Sequence, residues 1–243
     1  MRRFLLLLLL SGLVPALRAD YVAVALSRSP FCMIGANVTV GVAHGMAMVE
    51  GHYDFKYVPR FDNGPRSGTV TFEFAVLVPR ETESVSDVND LMQPKLHVGT
   101  VDYTPADLAV LKLPVGTTLP LVPENMKAVV LVFDVPRSLL QERSSLTLNY
   151  FQPTYHYAGR EVAAYLPLQP DFEALKNELL FSRDDFVVEF DAVDRIRLQR
   201  VSANASVVKD APDVVTVHPA DREMIAVALG PAPAPAKPPA GGR

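Results

Sequence analysis

Between Asn37 and Tyr57 apolar and polar residues alternate with a period of two, and this pattern constrains the fold more than any other feature of the chain. Successive side chains of a strand point to opposite faces, so residues two apart share a face. Held in one strand, the even face would carry Val38, Val40, Val42, His44, Met46, Met48, Glu50, His52 and Asp54. Gly41, Gly45 and Gly51 argue against a single unbroken strand, since an interior glycine marks a bulge or bend. A break near Gly51 would make Tyr53, Phe55 and Tyr57 a second core-facing set.

The same alternation recurs at Thr69–Val78 and Ser145–Tyr150, where no sulfur is present, so it signals strand rather than site. Further strands are expected at Tyr21–Leu26, Lys95–Val101, Ala106–Leu113, Lys127–Val135, Glu161–Leu168, Asp185–Phe190, Arg195–Val201, Val214–Val217 and Met224–Leu229. Val-Pro-Arg occurs at 58–60, 78–80 and 135–137, each time just past a strand-like run. Proline cannot donate to a ladder, so the tripeptide reads as a repeated strand terminator. Helix is scarce: Asp171–Leu180 is the good candidate, and Ser86–Met92 offers one turn. The expected fold is all-β, a β-sandwich of immunoglobulin-like or similar type in two sandwich units, with one short helix and a disordered Pro/Ala tail.

The expected organisation is a signal peptide at 1–19, a sandwich domain at 20–116, a second at 117–229 or a continuation of one large sandwich, and the tail at 230–243. Arg2 and Arg3 ahead of the run Phe4–Leu10, with small residues at Ala16 and Ala19, form the pattern of an export signal. The run is far short of the ~20 residues that span a bilayer, so no membrane span beyond the signal is expected. The expected location is the periplasm or the outside of a bacterial cell. Loss of Arg2, Arg3 and Arg18 with the signal takes the formal charge from −4 to about −7, which counts against nucleic acid as a partner. With one cysteine, Cys32, no internal disulfide is available and an apolar core must hold the fold; Cys32 itself reads as a buried small hydrophobe.

No phosphate-binding glycine loop, nucleophile elbow, His-Glu-x-x-His or Cys-x-x-Cys occurs. The run Asp87–Asp90 resembles a fragment of a calcium loop without its glycine and distal glutamate. Tyr150, Tyr155 and Tyr157 form a candidate aromatic rim, and Asp184, Asp185, Glu189, Asp191 and Asp194 supply carboxylates that ordinarily lie on solvated strand faces and turns. Asn37 and Asn204 open glycosylation sequons.

The leading expectation is an exported, non-enzymatic sandwich without a cofactor. It would act by contact, as a structural, adhesion or assembly module, on another envelope protein or a surface polymer. One alternative is a periplasmic copper protein with His44, Met46, Met48 and His52 as ligands, because thioethers and imidazoles suit copper. Burial of Met46 and Met48 against valines would remove this reading, and an open row with His44 and His52 would favour it. The other alternative is an enzyme or binder acting on envelope polysaccharide, for which the sequence nominates no residues.

Overall fold

The computed structural model describes residues 30–59, 62, 68–111, 122–166, 183–193, 196–201, 206–218 and 224–231. The expected signal, the Tyr21–Leu26 strand, the Asp171–Leu180 helix, Asp194, Asn204 and residues 232–243 lie outside them. Fifteen strands and one α-helix are formed among the described residues, and the fold is all-β and sandwich-like.

One layer is an eight-stranded sheet. At its centre β1 (Phe31–Ala43) and β2 (Met46–Tyr57) form a long antiparallel hairpin. β8 (Arg143–Pro153) flanks β2, followed outward by β4 (Lys95–Val98) and β5 (Val101–Tyr103). β11 (Phe186–Ala192) lies parallel to β1, followed by β14 (Val214–His218) and the edge strand β13 (Ser206–Asp210). The second layer holds a three-stranded sheet of β3 (Thr69–Pro79), β7 (Met126–Pro136) and β6 (Asp107–Val110). Beside it lies a four-stranded sheet in the order β12 (Arg197–Arg200), β15 (Ile225–Gly230), β10 (Arg160–Tyr165), β9 (Tyr155–Tyr157). Strands from both sides of residue 117 pair in the eight-stranded and three-stranded sheets.

The hairpin corrects the sequence expectation in one respect. The chain breaks at His44–Gly45, where Gly45 has φ 82°, and β2 runs unbroken through Gly51. That turn reverses the parity. Val38, Val40 and Val42 of β1 face inward from even positions, whereas Ala47, Val49, Tyr53 and Phe55 of β2 face inward from odd ones. Gly51 is a packing glycine: a Cβ there would collide with the ring of Tyr53, which folds back over it.

The core lies between the layers. Phe72 packs on Phe31 and Phe55, and Phe74 on Tyr53 and Phe133, at centroid separations of 4.9–6.3 Å. Two polar links cross it. The Tyr53 and Tyr165 hydroxyls are 2.9 Å apart. Buried Gln152 donates to Ala164 O at 2.8 Å and accepts from Leu77 N at 3.4 Å, so one β8 side chain joins all three sheets. The helix α1 (Val85–Met92) buries Val88 and Met92, and a capping box between Ser84 and Asp87 opens it. The three Val-Pro-Arg sites follow β2 and close β3 and β7.

Candidate functional site

The outer face of the eight-stranded sheet is where chemistry and exposure coincide. Because β2 turns its odd positions inward, Met46, Met48, Glu50, His52 and Asp54 all point outward and are exposed. The sulfur-bearing row is open, with Met46 38% and Met48 50% exposed. Cross-strand register sets Met48 beside Gly41 of β1 and Phe151 of β8, which is 39% exposed. Val193, just past β11, lies over Gly41, where a Cβ would come within 3.2 Å of its side chain and 3.9 Å of Met48 Cε. Met46, Met48, Phe151 and Val193 therefore form one exposed apolar cluster on this face, beside the polar Glu50, His52 and Asp54.

The four proposed metal ligands are not brought together. His44 sits in the turn, with Nδ1 2.8 Å from Glu161 Oε2. His52 bonds Thr147 Oγ1 at 2.9 Å through Nδ1 and lies 3.1 Å from Glu50 Oε1 through Nε2. A strand rises ~3.3 Å per residue, so Met46 and His52 lie ~20 Å apart along β2. A strand spaces such a row along its axis, so His44, Met46, Met48 and His52 stand open, as the copper reading asks, but are spread along β2 and its turn. Among the described residues no group of three His, Cys, Asp or Glu converges on a metal position.

Around the hairpin tip a second arrangement appears. The Glu161 carboxylate accepts from Gly45 N at 2.6 Å and Thr154 Oγ1 at 2.5 Å as well as meeting His44. Burial works to push this carboxyl up, but the bonds from Thr154, Gly45 and His44 outweigh it and hold it down at about 2. The carboxylate ties the turn to β10 through these three bonds.

Thr147, His52 and Glu50 form a hydroxyl–imidazole–carboxylate chain, a grouping that sequence reasoning missed because Thr147 meets His52 only through the β2–β8 register. On β4, His97 Nδ1 meets Asp102 Oδ1 at 2.6 Å and its Nε2 lies 3.3 Å from Asn149 Nδ2. The order of the shared row is His52, Thr147, His97. Catalysis by such a chain needs a substrate held against it and donors aimed at the developing charge. Here the side chains stand on an open sheet, with His52 59% and Glu50 49% exposed, and the neighbouring backbone amides are committed to strand ladders. The arrangement is an open polar row on the face of the sheet.

The remaining candidates resolve structurally. Cys32 is buried. The Asp87 carboxylate accepts from the Glu83 and Ser84 amides as a helix cap, which lowers its pKa. Tyr150 and Tyr155 face the core and do not form a rim. Glu189 accepts from Thr216 on the adjacent strand.

These features define an all-β, sandwich-like protein with a mixed apolar and polar face on its larger sheet. No protein-family model matches the chain. No curated protein matches it in sequence. Solved structures that it resembles include native leukotriene A4 hydrolase from Saccharomyces cerevisiae, at TM-score 0.43 and 8% identity. Yeast leukotriene A4 hydrolase in complex with bestatin gives TM-score 0.40 at 8% identity. Each alignment covers 90% of this chain, which spans about a third of the length of either structure (32% and 31%). At such scores the likeness carries no argument about activity.

Proposed function

We propose that this chain is an exported, non-enzymatic β-sandwich that acts by contact in the cell envelope, presenting the outer face of its eight-stranded sheet to another envelope protein. The observation that carries this reading is the exposed cluster of Met46, Met48, Phe151 and Val193. Aromatic residues and methionine are enriched at protein interfaces, and an apolar centre within a polar rim is their usual anatomy. Glu50, His52, Asn149 and Lys95 supply that rim from three adjacent strands. A protein partner fits better than a polysaccharide. Sugar surfaces call for aromatic platforms, and Phe151 is the large aromatic exposed among the described residues, with no tryptophan in the chain.

The test is affinity capture from an envelope fraction with wild type, Met48→Glu and Phe151→Glu. A partner retained by wild type and lost by both variants supports the proposal. A partner retained equally by all three, or hydrolase activity in the pure protein that Thr147→Val abolishes, removes it.

A further inference from the structure

A cleft of about 810 Å³ opens on the four-stranded sheet, away from the face just described, and its lining includes Arg160, Arg197, Gln199 and Asp210. Its position follows from register. Arg197 of β12 pairs with Gly230 of β15, and Val162 of β10 pairs with Ala228, which sets Arg160 level with Gly230 on the other side. Arg160 and Arg197 thus flank, by backbone register, a strand position that has no side chain, and both line the cleft. At Gly230 a Cβ would meet only the Arg197 backbone and Cβ, at 3.7–3.8 Å, so the gap between the arginines is open.

The charges are not spent internally. Arg160 gives one N–H to Gln199 Oε1 at 2.7 Å, which fixes one edge of its planar fork and leaves the rest available. The Arg197 side chain makes no hydrogen bond or ion pair among the described residues, its backbone pairing with β15. Asp210 lines the same cleft, yet among the described residues it forms no ion pair with either arginine. Two cations against one carboxylate leave a net positive charge in a chain whose formal charge is −4. Ala211, Pro212 and Pro231 add apolar surface.

We infer that this cleft binds a small organic monocarboxylate, its oxygens between Arg160 and Arg197 and its apolar body against the prolines. One added carboxylate neutralises the lining, and the planar guanidinium fork suits a carboxylate's two oxygens. The volume lies within the range of small-molecule sites.

The experiment titrates the full chain with benzoate, with the uncharged isostere benzamide and with inorganic phosphate, following backbone amide shifts by NMR. Expected are saturable shifts at Ala228 and Gly230 with benzoate, and dissociation constants at least about tenfold weaker for benzamide and phosphate. Arg197→Gln and Arg160→Gln, at exposed positions, are each expected to weaken benzoate by about tenfold or more, with Arg143→Gln on the other sheet unchanged. Equal binding of benzamide means an apolar slot only, and equal binding of phosphate means general anion attraction. Either result, or benzoate shifts unaltered in both arginine variants, overturns the inference. The comparison of probes on wild type stands even if a variant does not fold.

Discussion

The Glu161 carboxylate on β10 lies 2.8 Å from His44 Nδ1, so the second layer clamps the tip of the hairpin at the centre of the first. Its further bonds to Gly45 N and Thr154 Oγ1 hold the carboxyl at about 2, against an ordinary 4.5. A group whose folded pKa is depressed contributes stability above its unfolded pKa and loses it as pH falls through the folded one. Glu161→Gln is therefore expected to lower the melting temperature at pH 7. The gap to wild type should close as pH falls from about 4.5 towards 2, as read by thermal melts across that window. A gap independent of pH would mean that the carboxylate's charge plays no part.

Gly51→Ala should cost about 1–3 kcal/mol, because the added Cβ meets the Tyr53 ring inside a packed core. Urea unfolding measures it. In Gly51→Ala/Tyr53→Leu the two effects should be less than additive, since the second change removes the atoms that the first strikes.

Replacing Gln152 by Leu leaves Ala164 O without its 2.8 Å donor and Leu77 N without its acceptor, in a site with Gln152 1% exposed. The expected loss is about 1–3 kcal/mol, again by urea unfolding, for an orphaned buried group. A neutral result would mean that the sheets do not depend on this link.

Met46→Leu/Met48→Leu should change stability by no more than about 0.5 kcal/mol, since both side chains are exposed. Copper titration of wild type and of this variant should give the same weak background. Tight binding by wild type that the variant loses would show that the row gathers an ion despite its ~20 Å length.

Much of the fold was legible because inward-facing residues of amphipathic strands repeat every second position, as in β3 and β8. Four things were not. The turn at His44–Gly45 hides within one continuous alternation, and its signal is the switch of the apolar set from even positions at Val42 to odd ones at Ala47. β13 is an edge strand with every residue exposed, so no face was selected for burial and no pattern arose. β9 falls where Tyr155 and Tyr157 read as a loop between other strands. The parallel pairing of β1 with β11 joins residues about 150 positions apart and leaves no local trace. For the site, the even positions placed His44, Met46, Met48 and His52 on one face; β2 keeps Met46, Met48 and His52 there, and His44 sits in the turn. What joined Met48 to Phe151 and Val193, and His52 to Thr147, was register.

The most direct test of the contact reading places a photo-crosslinking residue at Met48 of the full chain in its own cells, with a matched position at Val110, 78% exposed on β6. The account predicts a discrete protein adduct at Met48, absent at Val110 and abolished by Phe151→Lys. Absence of any adduct at Met48, or the same adducts at both positions regardless of Phe151, would contradict it.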